Sequence, residues 1–334
     1  MKKLKVLVLT HPQLIPPEHK EDLTPQEFMV VKTEYDVVTT LKAMGHEVLI
    51  LGVQYELRPI REAVESFHPD IVFNMLEEFH GEVLFDQNVV SYLELLQIPY
   101  TGCNPRGMII ARGKALSKKL LAYHRIKVPD FAVFEIGAKV KRPARLHFPL
   151  IVKSLTVDSS VGIAKTSIVD SDEKLAERVR FIHERVRTAA IVEQFIDGRE
   201  FYVSLVGNAR VQSFPAWELV AEHMPEGEPL IATARVKHDL DYQARWGVKF
   251  TRAEITEAQQ ETLAKVSKRI YKILELSGYG RVDFRLGADG HFYFLEANPN
   301  PEIASREEFA SSARAAGIEY PELLQRILNL GLRR

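Results

Sequence analysis

The sequence predicts a parallel α/β domain at the N-terminus followed by smaller α+β units. Over the first hundred residues, short β-branched runs alternate with stretches of helical periodicity. Beyond Cys103 that rhythm gives way to shorter strand patterns and charged helices. Near the C-terminus, two alternating runs flank Asp289-Gly290, a preferred pair for a tight hairpin turn.

In chain order, Lys5-Val6-Leu7-Val8-Leu9-Thr10 reads as a strand buried on both faces. A Pro-rich, charged loop runs from His11 to about Pro25. Phe28, Val31, Tyr35, Val38 and Leu41 then recur at helical spacing, with Gly45 at the expected C-cap. His46 to Val53 is the next strand, 58–68 a helix, Asp70 to Asn74 a strand and 83–97 a helix. These elements define a first domain over 1–103. A second unit, 104–188, starts with a Lys-rich helix at about 105–124. Strands at 131–135 and 149–154, a polar loop at 155–162, a further strand and a helix at 172–187 complete it. A third unit, 189–334, has strand patterns at 190–196, 200–206 and 230–237, an amphipathic stretch at 254–276, strands at 280–286 and 291–297, and two terminal helices. No internal repeat is found.

The chain has 334 residues, 46% apolar and 27% charged, as expected of a folded globular protein. Lys+Arg number 44 and Asp+Glu 45, a net charge of -1, which argues against a general basic surface for nucleic acid or acidic membrane. Cys103 is the single cysteine, so neither an internal disulfide nor a Cys-rich zinc site can form, and a reducing, cytoplasmic setting is expected. A catalytic role for that thiol has only weak support. The apolar run Val6 to Leu9 is too short for a signal-peptide core, and none approaches the ~18 residues of a membrane span.

Several motif fragments fail. Gly107 to Gly113-Lys114 resembles a phosphate-binding loop, but the glycines are one residue too far apart and Ala115 stands where Ser or Thr would hold magnesium. Gly278-Tyr279-Gly280 lacks a third glycine and precedes a strand. His80-Gly81-Glu82 lacks the cysteine pair of a zinc deaminase.

The strongest chemical signal is Gly280-Arg281-Val282-Asp283-Phe284-Arg285-Leu286 with His291-Phe292-Tyr293-Phe294-Leu295-Glu296-Ala297-Asn298. A two-residue turn at Asp289-Gly290 would place Asp283 opposite Glu296 and Arg281 opposite Asn298. All four polar groups would share one face, together with Phe294, while Val282, Leu295 and Ala297 take the other. Two carboxylates and an amide oxygen suit Mg²⁺, a hard cation that takes oxygen ligands. A solvent-facing hairpin with an Arg–Glu ion pair is the plainer alternative. Lys153 closes the apolar run Pro149-Leu150-Ile151-Val152 ahead of the small-residue loop Ser159-Ser160-Val161-Gly162, whose backbone N–H groups suit phosphate. A snorkelling edge lysine and an ordinary turn are the alternatives there. Ile191 to Glu200 is an apolar strand ending in polar groups.

Taken in order, these segments resemble the ATP-grasp superfamily, and within it the D-alanine:D-alanine ligase branch. The similarity is most specific from Arg281 to Asn298 and extends from about Glu77 to the C-terminus. It implies an ATP-grasp fold with a pre-ATP-grasp N-terminal domain, and ATP and Mg²⁺ as cofactors. Lys114 and Lys153 would contact ATP phosphates under a mobile loop in which Ser160 and Gly162 bind ATP and Ser159 is catalytic. Glu193, with backbone groups of Gln194 and Ile196, would read adenine, Glu200 would bind the ribose, and Lys237 would reach a phosphate. Asp283, Glu296 and Asn298 would ligate the metal, and Arg281 would stabilise transferring charge. The implied chemistry is phosphorylation of a substrate carboxylate by ATP and attack of an amine on the acyl phosphate, forming an amide or peptide bond. A homodimer is also suggested.

The acceptor half departs from the family. Thr10 to Glu18 replaces the usual Gly-Gly-x-Ser-x-Glu stretch, leaving Glu18 and Glu34 as candidates for the ammonium-binding glutamate. Pro299-Asn300-Pro301-Glu302 replaces Thr-x-Pro-Gly, and the charge of Glu302 would disfavour an incoming carboxylate. His80 lies in a segment resembling the family's His-Gly loop facing substrate. The expected function is therefore a small-molecule carboxylate–amine ligase with altered acceptor specificity. The alternatives are transfer to a hydroxyl or thiol, or a nucleotide-binding module without turnover.

Overall fold

Val6 to Leu9 are fully buried in β1 (Lys5–Thr10), which explains why that run alternates with nothing polar. β1 pairs in parallel with β2 (Glu47–Gly52) on one side and β3 (Ile71–Asn74) on the other. The crossovers that parallel pairing demands are α1 (Pro25–Ala43) and α2 (Arg58–Phe67), and α3 (Asp86–Leu95) follows β3. α1 opens on a capping box between Thr24 and Glu27 with Pro25 in its first turn. This is the computed structural model of the chain, and it describes residues 3–156, 164–225, 229–233, 235–236 and 239–334.

The helix expected over 105–124 is two helices, α4 (Pro105–Arg112) and α5 (Lys114–Tyr123). Gly113, with ψ at 82°, leaves the helical region, ends the first and starts the second, so Lys114 stands at the first position of α5. Next come β4 (Phe131–Phe134), β5 (Leu150–Ser154), β6 (Ile168–Val169), α6 (Asp172–Phe181), which runs on through a π turn at Ile182–Val186, and β7 (Ala190–Gln194). The four strands form an antiparallel sheet in the order β4-β7-β5-β6, with its own core of Leu150, Val152, Val179 and Val192. This sheet therefore runs to Gln194, past the boundary expected at 188.

The remaining elements are β8 (Arg199–Gly207), β9 (Val211–Ser213), β10 (Trp217–Ala221), α7 (Leu240–Trp246), β11 (Val248–Arg252), α8 (Glu257–Ile273), β12 (Tyr279–Leu286), β13 (Phe292–Pro299), α9 (Glu308–Ala315) and α10 (Tyr320–Gly331). The strand expected at 230–237 does not form among the described residues. The Thr233 hydroxyl accepts the Val236 N–H at 3.2 Å, so the alternating pattern there marks two buried anchors, Ile231 on irregular chain and Val236 on helical backbone. The sheet is completed by β9, β10 and β11, three strands outside the sequence expectation, in the order β11-β10-β8-β12-β13 with β9 on β8.

One large core joins the first and third sheets. Leu7, Leu9 and Val72 share it with Met108 and Leu121 of α4 and α5, and with Val203, Tyr271, Val282 and Phe284. Among the described residues, no helix is long and apolar enough to cross a membrane.

Candidate active site

The hairpin reaches the expected pairing by an unexpected route. Leu286 faces Phe292, so the connection is 287–291, closed by the Gly287 N–H on the His291 carbonyl at 3.0 Å, and not the two-residue turn Asp289-Gly290. The five-residue connection alone would slip the register by one residue. A β-bulge between Asp283 and Phe284 absorbs Leu295 and restores it, setting Asp283 opposite Glu296 and Arg281 opposite Asn298. Phe294 is corrected by the same bulge. Paired with Phe284, it joins the core with Val282 and Ala297 and is absent from the polar face.

That polar face continues onto β8, where Tyr202 faces Asp283 and Glu200 faces Arg285. Arg281 holds Asp283 through Nε at 2.8 Å and Nη2 at 2.9 Å, and reaches Glu308 of α9 through Nη1. Burial opposes the charge on Arg281, but Asp283 and Glu308 outweigh it and keep the guanidinium protonated. Asn298 Nδ2 donates to Asp283 Oδ2 at 3.0 Å. Asp283, Glu296 and the Asn298 amide oxygen are hard donors on neighbouring ladder positions, and this set fits Mg²⁺, whose remaining sites are usually filled by phosphate and water. Glu308 was not singled out by sequence, because α9 meets the hairpin only in the folded chain.

A second cluster joins the four-stranded sheet to this hairpin. Lys153 of β5 lies 3.1 Å from Glu193 of β7, and Lys118 of α5 lies 3.3 Å from the other oxygen of Glu193. Lys118 is fully buried, donates to the carbonyl of the bulge residue Leu295 and stacks 5.2 Å from the Phe294 ring. Burial and the nearby Lys153 lower the Lys118 pKa. Burial also opposes the charge of Lys153, but Glu193 and Glu296 outweigh it and raise its pKa. Glu193 stays ionised because its two lysines overcome its desolvation. Lys118 was missed in sequence, although its i,i+4 spacing from Lys114 places both on one helix face.

The strand expected to read adenine carries the following contacts in the folded chain. Glu193 is the counter-ion of the lysines, and the Gln194 N–H is committed to the Asp130 carbonyl at 2.7 Å. The Gln194 side chain bonds the His147 N–H and the Pro149 carbonyl. The Ile196 carbonyl accepts from Arg285 at 3.4 Å, and Glu200 pairs with Arg285 and accepts the Tyr202 hydroxyl at 2.8 Å. Lys114 is buried at the start of α5. Ser159, Ser160, Gly162 and Lys237 lie outside the described residues.

Beyond Asn298 the chain turns at Asn300 (φ 51°) and borders a pocket of ≈ 180 Å³. Thr33 and Glu34 of α1, Asn74 at the end of β3, Glu77 just beyond it, and Asn300 and Glu302 line it. Glu34 is only 5% exposed, and burial, with the neighbouring Glu77 and Glu302, pushes its pKa up to about 7. Thr10 donates to it at 3.2 Å. Glu77 is exposed at the pocket, and the protein crowded around its carboxylate, with the charges of Glu302 and Glu78, raises its pKa against the pull of Arg112. Glu302 accepts from Thr33 at 3.2 Å and lies 3.0 Å from Lys32. Of the two glutamates considered from sequence, Glu34 lines this pocket and Glu18 is exposed on the preceding loop. His80, exposed with φ at 61°, packs on Tyr55 and is not among the pocket's lining residues. Cys103 is fully buried and its thiol is pushed up to about 11, which removes it as a nucleophile.

Two antiparallel sheets bridged by a buried Lys–Glu–Lys cluster, with an oxygen-donor hairpin beside it, are the arrangement that the resemblance to ATP-grasp ligases implies. The family model "D-ala D-ala ligase C-terminus" matches residues 120–329. The chain belongs to the D-alanine–D-alanine ligase family. It is 32% identical to the D-alanine–D-alanine ligase of Bordetella petrii over 78% of this chain and 75% of the relative. It is 29% identical to that of Pelotomaculum thermopropionicum over 90% and 92% of the two chains. The fold is similar to the crystal structure of the D-alanine–D-alanine ligase from Bacillus anthracis complexed with ATP, with a TM-score of 0.76, 23% identity, and 99% and 98% of the two chains covered.

Proposed function

We propose that the protein is an ATP-dependent, ADP-forming carboxylate–amine ligase that works through an acyl phosphate and does not take D-alanine as its acceptor. The observation that carries this reading is the joining of two charge systems: Lys118 and Lys153 reach from α5 and the four-stranded sheet to the hairpin that presents Arg281, Asp283, Glu296 and Asn298. Phosphoryl transfer asks a protein chiefly for positioning and neutralised charge.

In this reading Lys114 and Lys153 bind phosphate oxygens, with Glu193 held between Lys153 and the buried Lys118. Asp283, Glu296 and Asn298 hold Mg²⁺, which supplies Lewis-acid charge stabilisation when bound. Arg281 is fixed by Asp283 and Glu308, so its guanidinium is positioned before substrate arrives. A substrate carboxylate oxygen bonds to the γ-phosphorus as the bond to ADP breaks. The amine nitrogen then bonds to the acyl carbon, loses a proton, and inorganic phosphate leaves. Altered acceptor choice is supported by Glu302, which lines the pocket where the resembled family has glycine.

The test is ADP release with Mg·ATP across amino acids and amines, with mass spectrometry of products. ADP release that needs both a carboxylate and an amine is expected. Formation of D-alanyl-D-alanine at roughly 1 per second or faster would overturn the acceptor reading. ATP binding without release under any pairing would overturn the ligase reading.

A further inference from the structure

Arg285 of β12 is a buried arginine to which the phosphoryl chemistry gives no task. It is 3% exposed and stands in register with Glu200 on the neighbouring strand β8. Its Nη2 donates to the Glu200 carboxylate and to the Leu230 carbonyl at 2.8 Å, and its Nη1 donates to the Ile196 carbonyl at 3.4 Å. The guanidinium lies 5.4 Å from the Phe195 ring. One side chain thus ties β8 to the connection that leaves the four-stranded sheet after Gln194.

Glu200 is gripped at both oxygens. Tyr202 donates to Oε1 at 2.8 Å and Arg285 donates to Oε2. A buried Arg–Glu pair adds little net stability over apolar side chains of similar volume, because both ions are desolvated, so stability alone is a weak reason for it. What the two bonds fix is a direction. Each oxygen commits one lone pair to a protein donor and keeps another, and with a donor on each oxygen the carboxylate cannot turn about its last bond. Glu200 and the Ile196 backbone are also the groups that the family resemblance gives to the ribose and to adenine, and Arg285 bonds to both.

We propose that Arg285 is a positioning residue for the nucleoside end of ATP: it touches no substrate and acts by holding the Glu200 carboxylate so that its remaining lone pairs meet the ribose hydroxyls. The proposal rests on the ATP-binding part of the ligase reading, with the ribose at Glu200, and not on the acceptor or on turnover. Hydrogen bonds from hydroxyls to a carboxylate are charge-assisted, and an acceptor fixed in advance avoids the cost of ordering it on binding. Without Arg285, Glu200 keeps Tyr202 on one oxygen and loses its counter-charge on the other. The loss therefore falls on nucleotides that carry those hydroxyls and spares those that lack them.

Calorimetric titration of the full chain with Mg²⁺ and a non-hydrolysable ATP analogue, in its ribose and its 2′,3′-dideoxy forms, reads this without any acceptor. The native chain is expected to bind the ribose form about 10-fold more tightly, as hydrogen bonds to a charged acceptor allow. Arg285→Met, similar in length and uncharged, should weaken the ribose form by about 10-fold and leave the dideoxy form unchanged. Arg285→Lys keeps the charge but cannot fork between Glu200 and the Ile196 carbonyl, so a smaller loss with the same selectivity is expected. The lysine variant decides the matter if the methionine variant does not fold. Adding Arg285→Met to Glu200→Gln should cost the ribose form no further affinity, since Arg285 acts only through Glu200. Equal weakening of both nucleotides, an undiminished ribose preference in every Arg285 variant that folds, or no ribose preference in the native chain would each overturn the proposal. Selective loss in a chain that releases no ADP with any carboxylate and amine would uphold the positioning role and sink the ligase reading. ADP release by a native chain indifferent to the ribose hydroxyls would do the reverse.

Discussion

The hairpin cluster and the pocket beside α1 bury charge by opposite means. Around the hairpin, Glu193 sits between Lys118 and Lys153, and Asp283 and Glu308 clasp Arg281, so opposite charges meet within hydrogen-bond reach. In the pocket, Glu34 is nearly as buried as Asp283 but faces a hydroxyl, and its nearest charged neighbours include Glu77 and Glu302. Where a partner is built in, the group stays ionised; where none is, a proton supplies the missing charge.

The largest break in that comparison is expected at the metal-facing carboxylate. Glu296→Gln keeps shape and hydrogen bonding but removes a charge from the donor set, and turnover should fall by about 10³-fold, roughly 4 kcal/mol of transition-state stabilisation. Unchanged thermal melting with this loss in kcat would place the effect in the chemistry; full activity would remove Glu296 from the site. Glu193→Gln comes next, because it leaves Lys118 and Lys153 buried against each other. Destabilisation of about 3 kcal/mol is expected by denaturant titration, and a change within experimental error would mean that the cluster is not the buried ion set described.

The pocket gives a smaller effect of opposite sign. The folded-state pKa of Glu34, about 7, lies above its ordinary value of 4.5. The folded chain therefore binds this proton more tightly, and the resulting stability is complete below pH 4.5 and lost as pH rises through 7. Glu34→Gln removes that loss, so the variant should gain on the native chain by ~2 kcal/mol between pH 5 and pH 8. A gap that stays constant with pH would show that Glu34 is ionised throughout. Glu302→Gln is expected to change stability by under ~1 kcal/mol, since its Lys32 pair is partly exposed.

The hairpin shows how far sequence carries and where it stops. Alternation of polar and apolar residues put Asp283 and Glu296 on one face, but the pairing follows from two irregularities that cancel, a five-residue connection and a bulge at Leu295. A pattern of period two records which residues share a face and says little about an inserted residue. The same limit explains the strand expected at 230–237: Ile231 and Val236 are buried as an apolar alternation suggests, yet the Thr233 hydroxyl accepts the Val236 N–H and Val236 stands on helical backbone. Lys118 looked like one member of a Lys-rich helix, because burial against Glu193 cannot be read from a helix alone.

By itself the sequence determined the parallel βαβ start, the order of most strands and helices, and the presence of lysines, paired carboxylates and an arginine in the right succession. Those features depend on local periodicity and turn chemistry, which neighbouring residues decide. Tertiary structure alone decided that Glu308 would clasp Arg281, that Glu193 would be a counter-ion, and that Glu34, Glu77 and Glu302 would meet around one pocket. Residues 34, 77 and 302 lie on three separate segments. Only packing of the first sheet against the third, through their shared core, brings those charges close enough to shift one another's protons.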